Sequence, residues 1–424
     1  MTGKRKRKLA MPDTLIIVAS VVLLVAILSW IIPSGTCDYQ EMNINGRIRN
    51  VAIDGTYHTI DKSEVTTTGF LGFFSVLYRG CVEAADVIFM ILCCCGTFGV
   101  VVKTGAFHAG IGTILKKLKG KEILLVPIIM MIFGLGGSVF GMASEFYGFY
   151  PLIVGLGVAL GYDAMFGFAI IAVGEFVGFM GATLNPYSVG IAQTISGVEL
   201  YSGTGYRAIC FVIFMAISII YVMVYGRKIK KNPGASVVFG EKNIHAFDRD
   251  ELNEYSFTLK DGLVLLDVLV VLVVLMLGLI KWGWDFPQLC GLFLLMSMIA
   301  AAICKWSPNK WCSEFIDSAK TAMWGCILTG IAKAITVVMQ DAQIMDTVIY
   351  GLSNVLKNAP HAVSAQVMLV VQTLINFFIP SATGQASATM PIMAQLADII
   401  GVSRQTAVLA FQFGDGLSNI FWPT

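Results

Sequence analysis

The sequence predicts an all-α polytopic membrane protein with two inverted-topology repeats, each containing a re-entrant hairpin and a broken transmembrane helix. The 424 residues are 56% hydrophobic and only 13% charged, whereas a soluble domain is about one-quarter charged. Uncharged runs at 14–32, 208–226 and 286–304 approach the ~20 residues that cross the hydrocarbon core. A polar break inside apolar sequence also occurs twice, about 240 residues apart, which is typical of secondary transporters.

The charge pattern sets the predicted orientation. Residues 4–8 are all Lys or Arg, and no small-residue cleavage site follows the next apolar run. Residues 1–33 are therefore predicted to be a basic N-terminus and an uncleaved first transmembrane helix. Further basic clusters occur at 116–121, 227–231 and 305–310. Because cytoplasmic loops are enriched in Lys and Arg, we place all of these inside, with a cytoplasmic N-terminus and a multi-pass location in the cell membrane.

The same pattern divides the rest of the chain into segments. An external segment with a small β-hairpin, signalled by Asn45-Gly46 and Asp54-Gly55, is followed by an interfacial helix within 34–80. The remaining predicted segments are the first repeat at 81–227 with a hairpin at about 123–160, a cytoplasmic linker at 228–260, a helix pair and an interfacial helix at 261–319, and the second repeat at 320–424 with a hairpin at about 362–400.

The re-entrant hairpins are predicted from apolar segments that are too long for a single membrane span. Residues 123–162 carry a single charge, Glu145, and small residues at 134–144 interrupt them near the middle. Non-helical backbone at membrane depth is tolerated only where it is buried or lines a cavity, so this break is predicted to be a re-entrant tip. The second tip is predicted at 380–387. An odd number of crossings separates the copies, so the second is inverted relative to the first.

The two copies differ in length after their breaks. About 40 residues follow the first break before its repeat closes near Gly226, whereas the second copy ends at Pro423-Thr424. We therefore expect the second repeat to be truncated, without its last half-helix and one further span.

The breaks supply the candidate site. Broken helices expose backbone carbonyls that coordinate Na⁺, and half-helix N-termini that favour anions. The alternative is that small residues there only allow helices to pack closely. The candidate substrate- and ion-binding residues are Ser138, Gly141, Ser144, Glu145, Glu175, Thr183 and Asn185 in the first copy, and Ser381, Thr383, Gly384, Ser387, Asp415, Ser418 and Asn419 in the second.

Three of these candidates are carboxylates in apolar sequence. Charge is expensive there and usually marks a transport pathway. Glu175 and Asp415 each follow a glycine, at spacings from an earlier glycine that match between the copies. The carboxylates could bind a cationic substrate group, carry a proton or coordinate Na⁺. Alternatively, Glu175 and Asp415 are buried partners of Lys103 and Lys333.

Other residue patterns argue against an enzyme. Consecutive helical residues point about 100° apart, so the Cys93–Cys95 triplet cannot converge on one metal, and buried reduced thiols are expected. The four histidines are scattered, and none falls in a hairpin tip or a broken span. We expect no catalytic residues, no bound metal and no cofactor apart from a coupling ion, Na⁺ or H⁺. The expected partners are a small-molecule substrate and the lipid bilayer, with no nucleic acid.

Several motifs resemble one transporter family. Residues 384–391 read GQASATMP, residues 403–405 read SRQ, and residues 411–419 read FQFGDGLSN. They resemble the YfcC branch of the DcuC-like (C4-dicarboxylate carrier) transporters, in the wider ion-transporter superfamily, and shorter similarities occur at 57–58, 82–86 and 181–186. The resemblance implies a secondary carrier with inverted repeats and re-entrant hairpins that forms a homodimer and moves substrate by an elevator-like motion. It also implies a further helix beyond residue 424.

The residues favour one substrate class over another. The substrates named for members of this family are divided between C4-dicarboxylates and basic amino acids, the latter exchanged as arginine and ornithine. A dianion would require Arg or Lys at the breaks, and residues 134–186 and 381–403 contain neither. The three carboxylates suit an amine or guanidinium better, so a basic amino acid is the preferred substrate and a C4-dicarboxylate the alternative. A membrane-embedded enzyme and an ion channel are the alternatives from other classes.

Overall fold

The computed structural model describes residues 13–44, 47–53, 55–110, 113, 122–240, 257–284, 286–357 and 363–422, and it is mostly helical. The elements used below are α1 (Thr14–Ile31), β1 (Gly35–Thr36), β2 (Tyr39–Ile44), β3 (Arg47–Ala52), β4 (His58–Thr59), α2 (Phe70–Glu83), α3 (Ala85–Lys103), α4 (Leu125–Leu135), α5 (Tyr150–Ala159), α6 (Ala164–Gly181), α7 (Val189–Ile195), α8 (Thr204–Lys231), α9 (Leu259–Lys281), α10 (Phe286–Ile303), α11 (Pro308–Lys320), α12 (Met323–Asp341), α13 (Met345–Lys357), α14 (Ser364–Phe378), α15 (Ala382–Ile399) and α16 (Arg404–Ser418).

Several of these helices have the length and apolar character of membrane spans. Five described helices are long and apolar enough to cross a bilayer, namely α3, α6, α8, α10 and α12. Shorter apolar helices include Ser364–Phe378. Exposed Ile, Leu, Val and aromatic side chains cover their outer surfaces, as on α8 at Ile209 and Ile220. Such surfaces suit lipid rather than water, so the protein is a multi-pass membrane protein.

Two kinked helix pairs pack against each other. The 14-residue α2 leads into the 19-residue α3, and the 13-residue α11 leads into the 19-residue α12. Gly80 on α2 meets the backbone of Ala334 on α12, and Gly99 on α3 meets Ser318 on α11. A Cβ at either glycine would lie under 3 Å from those atoms, so glycine permits the close approach. The Thr66 amide, which precedes α2, donates to the carbonyl of Asp341 at the end of α12, so these two helices run antiparallel.

The short strands form a segment anchored to the second half of the chain. β2 pairs with β3 and β1 with β4, both antiparallel, and the predicted Asn45-Gly46 turn lies outside the described residues. The Asp346 carboxylate on α13 accepts hydrogen bonds from the Cys37 amide (2.9 Å), the Thr36 hydroxyl (3.3 Å) and the Tyr39 hydroxyl (2.7 Å). We name these four residues the strand latch. Val51 of β3 is buried beside α15, so the segment also contacts the second hairpin.

Removing the strand latch should loosen this segment. Hydrogen bonds to a charged group each contribute about 1.5–3 kcal/mol, so Asp346→Ala should accelerate amide exchange in residues 35–59 by roughly tenfold or more. Burial and the adjacent carboxylate of Asp346 raise the pKa of the Tyr39 hydroxyl well above its ordinary value. Because the folded protein holds the Tyr39 proton more tightly than the unfolded chain does, the stability contributed by this hydroxyl is complete below about pH 10. That contribution is lost as the pH rises further.

Hydrogen exchange read by mass spectrometry checks this prediction. Asp38→Ala is the matched control, because that side chain is exposed on the same segment. Equal exchange rates in the two variants between pH 6 and pH 8 would contradict a latch role for Asp346.

The first hairpin reverses the chain at a glycine. α4 continues as a π-helical turn, Gly136–Phe140, and ends at Gly141, whose φ is +68°. A 3₁₀ segment, Ser144–Phe149, then leads into α5. The Phe133 ring lies 4.8 Å from the Phe146 ring and 5.6 Å from the Phe149 ring, which is possible only because the chain folds back. Residues 134–140 are helical, so the break is shorter than the predicted 134–144.

The next helix, α6, packs on both arms of this hairpin. Gly174 meets Met130 and Gly178 meets Gly134, so α6 runs parallel to α4. The contact between Gly157 and Gly167 brings the end of α5 to the start of α6, so these two helices run antiparallel.

The second hairpin has the same arrangement. α14 ends at Phe378 and α15 begins at Ala382, where the Ser381 hydroxyl accepts the Gly384 amide and caps the helix. Residues 382–387 are therefore helical, although the sequence predicted a tip at 380–387, because serine is a strong N-cap and the following Ala, Gln and Ser are compatible with a helix. Gly414 on α16 meets the backbone of Leu369 and Thr373 on α14.

Helices α6 and α16, one from each half of the chain, contact each other. Gly416 on α16 packs on the backbone of Met180 on α6, and the side-chain amide of Gln412 donates to the Phe179 carbonyl at 2.9 Å. All of these residues except Phe179 are buried almost completely. The C-terminal ends of α6 and α16 therefore meet inside the protein, and this contact positions the candidate site.

Candidate functional site

The first break is fastened to the tip of its own hairpin. The buried Ser138 hydroxyl lies 3.0 Å from the Thr183 hydroxyl and accepts the Thr183 amide at 3.1 Å. The Ser138 carbonyl accepts the Leu184 amide at 3.2 Å. These contacts replace helical hydrogen bonds that the chain gives up where α6 ends. The structure therefore brings the predicted residues Ser138 and Thr183 together.

Asn185 organises the backbone that follows. Its side-chain oxygen accepts the amides of Tyr187 (2.9 Å) and Ser188 (3.2 Å). A Cβ at Gly141 would lie 2.4 Å from the same oxygen, so only glycine allows the hairpin tip this close. The Asn185 side-chain nitrogen is buried and has no hydrogen-bond partner among the described residues. A buried, unused amide donor at a helix break can bind a ligand oxygen.

The second hairpin reaches the first break. The Thr383 hydroxyl donates to the Tyr187 carbonyl at 2.8 Å, and the Ser387 hydroxyl donates to the Thr383 carbonyl at 2.9 Å. Ser381 is exposed at the N-terminus of α15, next to Gly384. The N-terminus of α15, with the Ser381 hydroxyl and the positive end of the helix dipole, therefore lies beside the first break.

The C-terminal end of α16 is held by a residue that sequence reasoning missed. The side-chain nitrogen of Asn376 on α14 lies 2.7 Å from the Ser418 hydroxyl, 2.8 Å from the Asn419 side-chain oxygen and 3.2 Å from the Asp415 carbonyl. Asn376 is buried. Its signal in the sequence is a lone asparagine in the apolar run 374–379, four residues before the hairpin tip.

The three candidate carboxylates have different surroundings. Glu145 is half-buried, and its carboxylate accepts the Ala143 amide at 3.0 Å. Glu175 is fully buried, and one oxygen accepts the Tyr150 hydroxyl at 3.0 Å while the other has no partner in the described part of the chain. Asp415 is buried, and one of its oxygens is likewise without a partner there. The side chain of Ser144 lies outside the described residues.

The predicted lysine partners do not occupy these positions. Lys103 forms an ion pair with Glu314 at 3.9 Å. Among the described residues, no ion pair joins Lys103 or Lys333 to Glu175 or Asp415. The lysine-pairing alternative is therefore wrong for this conformation, and Tyr150 is the hydrogen-bond partner of Glu175.

A buried arginine lies at the first break. Arg207 on α8 is 1% exposed, and its guanidinium donates to the carbonyls of Ala182 (3.0 Å), Thr183 (3.2 Å) and Ser202 (2.8 Å). It also donates to the Thr204 hydroxyl at 3.1 Å. A cation at the C-terminal end of a helix is favoured by the helix dipole. The expectation that no basic residue lies at the breaks is therefore wrong, because α8 packs against the end of α6 and brings Arg207 to the first break.

A family model described as "C4-dicarboxylate anaerobic carrier" (DcuC) matches residues 11–424. The chain belongs to the DcuC family. The predicted resemblance is thereby confirmed, and membership of the DcuC family makes this protein a membrane transporter rather than an enzyme.

Named relatives of this DcuC protein cover its whole length. A protein of Escherichia coli (strain K12) named "Putative basic amino acid antiporter YfcC" is 33% identical over 100% of this chain and 90% of its own length. A second, named "Uncharacterized protein", from Haemophilus influenzae, is 28% identical over 100% of this chain and 91% of its own length.

Two solved transporter structures are similar at low identity. The Alcanivorax borkumensis YdaH transporter is 13% identical with a TM-score of 0.43, covering 96% of this chain and 88% of that one. Neisseria gonorrhoeae MtrF, whose structure is described as illuminating a class of antimetabolite efflux pumps, is 16% identical with a TM-score of 0.45, covering 98% and 87%.

Proposed function

We propose that this DcuC protein is a secondary active transporter that exchanges or accumulates basic amino acids of the arginine and ornithine type across the cytoplasmic membrane. The observation that carries the substrate class is Glu145, a half-buried carboxylate at the tip of the first hairpin. The full-length similarity to a relative named as a basic amino acid antiporter agrees with it.

The transport fold that we propose consists of two inverted repeats with re-entrant hairpins, the first entered from the cytoplasm and the second from outside. It is supported by the antiparallel packing of α2–α3 against α11–α12 and by the parallel packing of each broken helix on the first arm of its own hairpin. The two hairpins also lie against different parts of the chain. Asp163, between α5 and α6, accepts the hydroxyls of Tyr225 near the end of α8 and of Ser236 after that helix, whereas α15 of the second hairpin contacts β3.

The moving unit in this proposal is the pair of hairpins with α6 and α16. Thr383–Tyr187 and Gln412–Phe179 join the two halves of this unit. The kinked helices α2–α3 and α11–α12, with α1 and α10 beside them, form the static frame of an elevator-like carrier. A homodimer through this frame, and an N-terminus on the cytoplasmic side, complete the proposed arrangement.

The proposed substrate site lies between the first hairpin tip and the start of α15. The cationic end of the substrate pairs with Glu145. Its α-carboxylate binds the Ser381 hydroxyl and the amides at the N-terminus of α15, where the helix dipole favours an anion. The buried Asn185 amide supplies a further donor.

Arg207 gives the C4-dicarboxylate alternative its specific support. It brings a guanidinium to the first break, which is the group that a dianion requires. In this conformation, however, its donors are engaged by three carbonyls and a hydroxyl. A role in holding the break agrees with this geometry better than a role in binding a dianion.

Neutralising Glu145 should strongly reduce transport of a basic substrate. Because a hydrogen bond to a charged group is worth about 1.5–3 kcal/mol, Glu145→Gln should reduce labelled arginine exchange in proteoliposomes by roughly tenfold or more. Glu199→Gln, at an exposed position after the break, is the matched control and should exchange arginine at the wild-type rate.

The same vesicles distinguish the alternatives. Uptake of labelled succinate without uptake of arginine would exclude the basic amino acid and support the dicarboxylate. Acceleration of uptake by unlabelled substrate inside the vesicle separates a carrier from an ion channel, since a channel shows no counterflow.

A further inference from the structure

We infer that Glu175 is a proton-binding site of the transport cycle, and that it carries its proton in the conformation described here. This inference rests on the proposed transport function and names H⁺ as a coupling ion.

Glu175 is isolated from water. Its side chain is 0% exposed in the middle of α6. The neighbouring Gly174 lies against the backbone of Met130, which closes one side, and the Glu175 carbonyl lies close to Gly137 on the π-helical turn. A charged carboxylate at such a position costs several kcal/mol unless a cation compensates it, and binding a proton removes that cost.

No cation compensates it in the described part of the chain. The hydrogen-bond partner of Glu175 is the Tyr150 hydroxyl at 3.0 Å, and its second oxygen has none. The titratable or charged side chains on elements packed against α6 are Glu145, Tyr147 and Tyr150 at the first hairpin, Tyr206, Arg207, Cys210, Tyr221 and Tyr225 on the facing length of α8, and Arg404 and Asp415 on α16. Arg404 begins α16, eleven residues before Asp415, and forms an ion pair with Asp398 at 2.7 Å. Arg207 is engaged at the end of α6, seven residues beyond Glu175.

A sodium ion does not fit the same place. Sodium sites in transporters use unwound backbone carbonyls, whereas Glu175 lies in regular helix, six residues before α6 ends at Gly181. α4 has no side-chain oxygen at all, and α5 contributes only the Tyr150 hydroxyl. One carboxyl and one hydroxyl are too few oxygens for a cation cage, but they suffice to hold a neutral carboxylic acid.

The matched position in the other half strengthens the inference. Asp415 follows Gly414, which packs on α14 as Gly174 packs on α4. Asp415 is also buried with an unpartnered oxygen. A buried carboxyl on each broken helix is unexpected for structural packing, because an apolar side chain would be more stable there.

Proteoliposomes with an imposed pH gradient test the inference. If one proton moves with each substrate, a gradient of one pH unit drives about tenfold accumulation of labelled arginine in the wild type. Glu175→Gln resembles the protonated acid in shape and charge. It should lose this gradient-driven accumulation, because an amide neither takes up nor releases a proton. Asp317→Asn, exposed on α11, is the control and should retain both gradient-driven accumulation and arginine exchange.

The outcomes separate this inference from the proposed function. If the wild type moves no arginine at all, the proposed substrate is wrong. If the wild type exchanges arginine but the Glu175→Gln variant still accumulates arginine along the pH gradient, the proton role of Glu175 is overturned. An infrared spectrum needs no substrate: the carbonyl band of a protonated carboxylic acid should be present at neutral pH in the wild type and lost in Glu175→Gln, and its absence in the wild type also overturns the inference.

Tyr150→Phe is a second variant that keeps the ring and removes only the hydroxyl. Since that hydrogen bond favours the deprotonated carboxylate, the pH of half-maximal exchange should move to higher values. An unchanged pH profile would show that Glu175 does not titrate during transport.

Discussion

Arg207→Leu is expected to produce the largest loss of stability of any single substitution at the first break. The guanidinium donates to three backbone carbonyls and one hydroxyl, and it is almost completely buried. Leucine removes all four of these hydrogen bonds and leaves the Ala182 carbonyl without a side-chain donor among the described residues, whereas the Thr183 carbonyl keeps Thr204 and the Ser202 carbonyl keeps Gln193 and Gln405. Hydrogen bonds to a charged group are worth about 1.5–3 kcal/mol each, so a loss on the order of 3 kcal/mol or more is expected.

The melting temperature of the detergent-solubilised protein, followed by intrinsic fluorescence, measures this loss. Arg207→Lys should recover only part of it, because an ammonium cannot span acceptors that the planar guanidinium reaches together. Arg227→Ala is the matched control, since Arg227 is exposed on the same helix. Equal melting temperatures for Arg207→Leu and Arg227→Ala would show that Arg207 does not hold the break.

Gly178→Ala is expected to separate α6 from the first arm of its hairpin. A Cβ there would lie 2.0 Å from the Gly134 carbonyl oxygen and 2.5 Å from the Gly134 Cα. Both are backbone atoms that cannot rotate away, so the two helices must move apart. Overpacking of this kind costs about 1–3 kcal/mol, and the shift also displaces Ser138 from Thr183 at the break.

Gly174→Ala provides the graded comparison for this substitution. It lies on the same helix, faces the same neighbour and has its nearest contact at 3.0 Å, so a shift of a few tenths of an ångström accommodates it. Both changes gain the same helix propensity, about 1 kcal/mol in water. Thermal unfolding should therefore rank wild type and Gly174→Ala above Gly178→Ala, and arginine exchange should fall most in Gly178→Ala. The reverse ranking would contradict the packing described here.

The positions of the two hairpin tips could be predicted because they depend on local residue chemistry. Small and polar residues interrupt apolar runs at Gly141 and Ser381, and the structure ends helices at both. The predicted lengths of the two hairpin tips were wrong, also for a local reason. Ser381 caps α15 and makes 382–387 helical, and a π-helical turn carries the first arm on to Phe140.

The partners at the site could not be predicted in the same way. Arg207 lies 24 residues after Thr183, and the residues beside it in the sequence give no indication that it contacts Ala182 or Thr183. Tyr150 was one of many aromatic residues in an apolar hairpin arm. The contact of Thr383 with Tyr187 joins residues almost 200 positions apart. Each of these contacts depends on how distant segments pack.

Membrane residence, family and the matched carboxyls Glu175 and Asp415 follow from the sequence, because hydrophobicity and motif spacing are properties of the residues and their order. Which groups are charged, paired or isolated at the breaks follows from the packed structure. Helix packing brings Arg207 to the carbonyls of the first break and leaves an oxygen of Glu175 without a partner in the described residues. The physical reason is that desolvation and hydrogen bonding depend on every neighbour in space, most of which are remote along the chain.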